Sequence, residues 1–150
     1  MNKTELRQST ISFLQKLDQK QKKWIEMRLF QQLIELESWK KSVMIGVTIS
    51  RGIEWDTKLI IETAWKQGKK VCVPKCNTQN SQLTFHQLDA YQQLEHAQAN
   101  LLEPDPVKTT PVHKAQIDLL LVPGLLFNKR GYRIVFGGGY YDRYLQDFTN

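Results

Sequence analysis

An α/β fold, built as a three-layer sandwich around a mostly parallel sheet, is what the 150-residue sequence predicts. Three observations carry it. Apolar residues recur at helical spacing up to about residue 38, then shift to short β-branched runs. A strand, a loop, a helix and a second strand follow one another between residues 43 and 74. Such a unit sets its strands parallel through a right-handed crossover. Finally "IDLLLVPGLLF", residues 117–127, holds the most apolar run of the chain and reads as a central strand ending at Pro123–Gly124.

Taken in order, Thr4 is placed to cap a first helix carrying Leu6, Ile11, Phe13, Leu14 and Leu17. Asp18 is placed to cap a second, whose broad apolar face runs from Trp24 to Leu36. "VMIGVTI", residues 43–49, reads as a buried strand and "SRGIEWDT" as a loop. Asp56 or Thr57 caps the helix over "KLIIETAWKQG", and Gly68 stands where a C′ glycine belongs. "KKVCVP" is the second strand, and "QLTFHQL", residues 82–88, alternates like a half-exposed one. The stretch "AYQQLEHAQANLLEPDPVKTTP" reads as partly helical, then as a proline-bearing loop. After the 117–127 strand a turn, "NKRG", leads to "FGGGYYD" and a last helix.

Composition narrows the function classes. Apolar residues at 41% and charged residues at 24% describe an ordinary globular domain. No apolar run approaches a membrane span, and "MNKTELRQST" has no secretory h-region, so a cytoplasmic location is expected. Cys72 and Cys76 stand in a C-x-x-x-C spacing that matches neither a redox pair nor half a zinc site, and read as free thiols on or beside a strand. His86, His96 and His113 are scattered and form no metal-binding pair. The net charge of +6 suits an anionic ligand, but the basic run "KQKK" lacks the interleaved aromatics of a nucleic-acid groove.

In an α/β fold of this kind ligands gather in the loops beyond the carboxyl ends of the strands. Two such loops carry chemistry here. In "FGGGYYD", consecutive glycines free the backbone N–H groups to converge on an anion. Arg133 precedes them, Tyr140 and Tyr141 offer a ring face and a hydroxyl, and Asp142 either favours the helix dipole or holds a magnesium ion on phosphates. A strained, ligand-free corner explains the same glycines. Lys3 and Arg7, four apart, share a helix face and suit either a triphosphate or solvent. Glu54, in "RGIEWDT", suits an amino-bearing heterocycle or solvent; Trp55 covers a flat ring or packs as core.

These stretches together resemble the 5-formyltetrahydrofolate cyclo-ligase family, also called methenyltetrahydrofolate synthetases. "VPGLLFNKRGYRIVFGGGYYDRYL", residues 122–145, is similar to its C-terminal hallmark. "KTELR", "VTISRGIEWDTKLII", "GKKVCVPK" and "LLEPDP" match in order along the chain. The resemblance implies a fold of the phosphosugar-isomerase and CoA-transferase kind. It also implies conversion of 5-formyltetrahydrofolate into 5,10-methenyltetrahydrofolate with ATP and Mg2+, through a phosphorylated formyl group. By the same resemblance Lys3 and Arg7 hold ATP phosphates. Arg133, Phe136, Gly137, Gly138, Gly139, Tyr140 and Tyr141 form the nucleotide loop, with Arg133 and Tyr140 at the reacting groups. Asp142 takes the metal position. Ile49 and Glu54, with Phe136 to Tyr140, contact the folate.

The expected partner is therefore a reduced folate, with no nucleic acid and no membrane, and the expected state a monomer or weak homodimer. Two departures accompany the resemblance. Val135 stands where the family has glycine, and the chain ends at Asn150 where the family continues. A single cyclo-ligase-like domain over residues 1–150, short of the family's C-terminal segment, is the expectation. The departures leave room for a non-catalytic folate- or nucleotide-binding module; a phosphosugar sensor shares the fold class.

Overall fold

Asn2 opens the first helix, α1 (Lys3–Lys16), in the computed structural model, which describes residues 1–135 and 139–148. Its side chain accepts from the Glu5 N–H at 2.8 Å and the Glu5 carboxylate accepts from the Asn2 N–H at 3.2 Å. Thr4, the expected cap, lies inside the helix. A capping box needs an acid or amide three residues on, which Asn2 has in Glu5; Thr4 has Arg7. Asp18 caps α2 (Gln19–Glu35) as expected, bonded reciprocally with Gln21. Only part of the α2 apolar face is used: Leu33 and Ile34 reach the core, whereas Trp24 and Leu29 are exposed. A short α3 (Glu37–Lys41) follows and buries Trp39, whose indole N–H donates to Gln67 Oε1 at 3.0 Å.

The parallel unit is present. β1 (Met44–Gly46) pairs in parallel with β2 (Lys70–Asn77), Ile45 opposite Val71, through α4 (Lys58–Lys66). β1 is shorter than the 43–49 run because the chain turns toward the ligand end after Val47, whose N–H still donates to the Cys72 carbonyl. At the start of α4 the Asp56 carboxylate accepts from the Lys58 N–H at 2.9 Å. The Thr57 hydroxyl instead donates to the Thr48 carbonyl at 2.6 Å, tying the helix start to the strand end. Gly68 closes α4 with φ +77°, which a side chain would resist, and Lys69 N–H returns to the Ala64 carbonyl.

β3 (Gln82–Leu88) pairs antiparallel with β2 over its whole length. Between residues 90 and 110 the expected partial helix is limited to 3-10 turns at Tyr91–Gln93 and Gln98–Asn100, around a hairpin of β4 (Leu94–His96) and β5 (Leu102–Pro104). β6 (Pro111–Val112) joins β3, and β7 (Leu119–Leu120) joins β1 in parallel. The sheet order is β6-β3-β2-β1-β7: parallel around β1, antiparallel beyond β2. The expected central strand is thus, among the described residues, an edge strand. Its apolarity reports burial on both faces, not neighbours on both sides, since Leu119 and Leu121 pack on one core and Leu120 on the other.

Two cores give the sandwich its layers. On one face Ile45, Val47, Val71 and Val73 meet Trp39, Ile61 and Ala64 from α3 and α4. On the other, Met44, Cys72 and Phe85 meet Tyr144 of α5 (Tyr140–Leu145). Burying each large side chain contributes about 1.5–3 kcal/mol. The "NKRG" turn forms a hairpin of β8 (Leu126–Phe127) and β9 (Arg133–Ile134), with Asn128 Oδ1 accepting the N–H groups of Arg130 and Tyr132. Phe136, Gly137 and Gly138, three of the expected ligand contacts, lie outside the described residues.

Candidate active site

A cavity of about 290 Å³ opens beyond the carboxyl ends of β1 and β7, where an α/β fold puts its ligands. The loop after β1 gives it Ile49 and Glu54; the segment after β9 gives it Arg133, Gly139, Tyr140, Tyr141 and Asp142. All seven are expected site residues, drawn together from two loops far apart in sequence. Trp55 does not join them; it lines the neighbouring groove with Phe30 and Leu33.

Glu54 is held in place. Its carboxylate accepts from the Arg51 N–H at 2.8 Å and its own N–H donates to the Arg51 carbonyl at 3.2 Å. Arg133 is fixed by both arms of its fork: Nη1 donates to the Pro123 carbonyl and Nη2 to Asp142 Oδ1, each at 3.0 Å. Its guanidinium also lies 5.9 Å from the Tyr141 ring centroid. The Arg133 side chain is 11% exposed and that of Asp142 71%, so the pair sits at the cavity rim with its acid toward solvent.

Of the two N-terminal cations, Arg7 approaches the site. Its Nε donates to the carbonyl of Val135, a cavity residue, at 2.7 Å. Lys3 is exposed on the same helix and does not line the cavity. Gly139 has φ +68°, and a Cβ there would meet the Arg143 guanidinium at 3.1 Å. Val135 needs no such freedom: among the described non-glycine residues only Ser81 and Asn100 have positive φ.

The donor set can be tested against a metal. Among the described residues no three His, Cys, Asp or Glu side chains gather into a cation site. One rim carboxylate, Asp142, stands beside Arg133. A lone carboxylate is the usual protein share of a magnesium ion carried on phosphates. The residues therefore fit Mg2+ arriving with a nucleotide.

Sequence reasoning passed over two groups on the cavity wall. Glu103 is buried at 4% exposure and lines the cavity; its Oε2 accepts from the Cys76 N–H at 2.8 Å and its Oε1 is 3.5 Å from Lys75 Nζ. The only signal was the glutamate-proline step of "LLEPDP", and nothing in the sequence says that β5 lies beside β2. Cys76 is the second. Burial, and then the Glu103 carboxylate, push its thiol up to about 11; burial alone pushes Cys72 up to about 12. Burial therefore favours the protonated thiol at both cysteines.

The sequence pattern of the 5-formyltetrahydrofolate cyclo-ligase family matches residues 1–150. The chain belongs to that family. A probable 5-formyltetrahydrofolate cyclo-ligase of Caenorhabditis elegans is 30% identical over 147 residues, covering 95% of this chain and 71% of the relative. The mouse 5-formyltetrahydrofolate cyclo-ligase is 30% identical over 123 residues, covering 79% and 61%. The chain thus spans 61% to 71% of the length of these two cyclo-ligases. The solved 5,10-methenyltetrahydrofolate synthetase of Aquifex aeolicus superposes with TM-score 0.84 at 25% identity, over 100% of this chain and 75% of that one. Membership of the cyclo-ligase family agrees with the α/β architecture and with the two converging loops. Among the described residues no helix is long and apolar enough to cross a membrane.

Proposed function

We propose that this cyclo-ligase-family chain converts 5-formyltetrahydrofolate into 5,10-methenyltetrahydrofolate, using ATP and Mg2+, as a cytoplasmic monomer or weak homodimer. The observation that carries the reading is the convergence of Glu54 with Arg133, Tyr140, Tyr141 and Asp142 on one cavity. A formyl oxygen on nitrogen is a poor leaving group, and ATP supplies the phosphoryl group that makes it a good one.

The chain's own residues supply position and charge. Glu54, fixed by the Arg51 backbone, accepts hydrogen bonds from the amino and N–H edge of the pterin. Arg133 keeps its planar charge at the rim, where it would meet a phosphoryl oxygen, and Asp142 beside it would hold the magnesium ion. Arg7 fixes the chain at Val135 and leaves its terminal nitrogens for phosphate. Tyr140 lines the wall between the nucleotide and folate sides, and with Ile49 keeps water from the reacting oxygen. Lys3, exposed one turn before Arg7 on the same helix, adds its charge to the phosphates. Gly139, together with Phe136, Gly137 and Gly138, completes the nucleotide loop.

The test is formation of the methenyl product, followed by its near-ultraviolet absorbance, with dependence on both ATP and Mg2+. Absence of product from folded chain with fresh ATP would overturn the reading. One observation favours a second reading, a binding module without turnover: both arms of Arg133 are already engaged, by Pro123 and Asp142. Tight folate or nucleotide binding by calorimetry, without product, would select it.

A further inference from the structure

The Tyr141 hydroxyl is buried, and among the described residues it has no hydrogen-bond partner. Leaving a buried hydroxyl unsatisfied is unfavourable, and an uncommon state that calls for a physical reason. The ring cannot swing away to relieve it: Arg133 lies over one face, and Phe85 meets it edge-on at 6.4 Å between centroids and 77° between planes. Tyr141 lines the same cavity as Glu54, whose charge bears on its phenol. Burial holds that phenol above its ordinary range, and the Glu54 carboxylate adds to the effect, so the phenol keeps its proton to donate.

A fixed donor beside a fixed acceptor is a pattern with a chemical complement. Glu54 offers a carboxylate that can only accept, and Tyr141 a proton that finds no acceptor among the described residues. The matching edge on a flat ligand is a cyclic amide, with its N–H beside its C=O. A reduced pterin carries that edge at N3–H and C4=O.

Resting on the folate reading above, we propose that Tyr141 donates its hydroxyl proton to the C4 carbonyl oxygen of the pterin while Glu54 accepts from the neighbouring N3–H. Tyr141 is then a substrate-orienting and specificity residue, beyond any part it has in holding the nucleotide. It disfavours rings in which C4 bears an amino group, because N3 then carries no hydrogen for Glu54 and the Tyr141 hydroxyl loses the carbonyl that takes its proton. A site built around a hydrogen bond discriminates strongly against a ligand that leaves its group unpaired.

Calorimetry of the chain with 5-formyltetrahydrofolate, without ATP or Mg2+, reads this directly. Tyr141→Phe should weaken binding about tenfold or more, the scale of one lost buried hydrogen bond. Its thermal midpoint should stay level or rise, since an unsatisfied hydroxyl leaves the core. Tyr144→Phe is the control. Its hydroxyl is also buried with no partner among the described residues, but it lines a different recess, with His113 and Lys114. That variant should gain stability and keep its folate affinity. The 4-amino-4-deoxy analogue of the same folate should bind wild type more weakly and lose less than about twofold on Tyr141→Phe. Equal folate affinity for wild type and Tyr141→Phe, or equal losses for both ligands, would overturn the proposal. Should Tyr141→Phe fail to fold, wild type binding both ligands equally would overturn it too. A wild-type chain that binds neither folate removes the functional reading itself, and this inference with it.

Discussion

Arg7 and Val135 meet across 128 positions of sequence, the Arg7 Nε–H donating to the Val135 carbonyl at 2.7 Å. This bond joins the first helix to the segment after β9, so on the proposed reading the N-terminal helix helps to position the nucleotide. A charge-assisted bond of this kind is worth about 1.5–3 kcal/mol. Arg7→Ala should raise the KM for ATP roughly tenfold or more by that arithmetic, and shift folate binding less. Arg7→Lys should recover only part of it, because a lysine cannot serve Val135 and a phosphate with one planar fork. Steady-state kinetics in each substrate check both statements.

Val135→Gly, which restores the glycine common in the family, should bring little gain. Val135 is outside the positive-φ residues, so the glycine's extra freedom answers no need of the backbone there. The bond it makes to Arg7 uses its carbonyl, which glycine keeps. The expected outcome is a kcat/KM within about threefold of wild type and a thermal midpoint lower by a few degrees, through backbone entropy and a lost side chain at the cavity wall.

Asp142→Asn should separate magnesium use from stability. The Arg133–Asp142 pair has its acid 71% exposed, and exposed pairs contribute little to folding. Melting should therefore change by no more than a degree or two on the usual scale. The Mg2+ concentration needed for half-maximal rate should rise by about tenfold or more if the carboxylate is the protein's share of the ion. A magnesium titration at saturating ATP measures it.

Asp118 should govern part of the acid limb of stability. One carboxylate oxygen accepts the N–H groups of both Val43 and Met44 at 2.9 Å, and these bonds, Met44's first, hold its carboxyl below the usual range. A lowered pKa means stability that is present above the unfolded value, about 3.9, and lost as pH falls through the folded one. Asp118→Asn should melt lower than wild type at neutral pH. The gap should close as pH drops below about 4. Thermal melts between neutral and strongly acid pH test the convergence.

Much of the fold was legible because local chemistry decided it. Asp18 with Gln21 fixes a helix start, Gly68 fixes a helix end, and the alternation of 82–88 fixes a strand, all within a few residues. The two site loops were legible as strand-end loops for the same reason. What sequence did not reveal was lateral. The edge position of β7, the β4–β5 hairpin and the burial of Glu103 against Cys76 depend on which segments lie side by side. The Arg133–Asp142 bond is a further contact that sequence did not reveal, since it depends on how the turn into α5 brings the two side chains together.

The two cores of the sheet also differ in what they can tolerate. Tyr140 and Tyr141 pack on the core that Tyr144 and Phe85 share, whereas among the described residues the core of Trp39, Ile61 and Val71 touches the expected ligand residues only through Ile49. Laboratory evolution for hardness should therefore accumulate changes beneath α3 and α4 at no cost to selectivity. Changes of ligand preference should cluster on the tyrosine side, where the same residues pack the core and line the cavity. The single layer of strands would then act as a partition between two kinds of evolvability within one small domain.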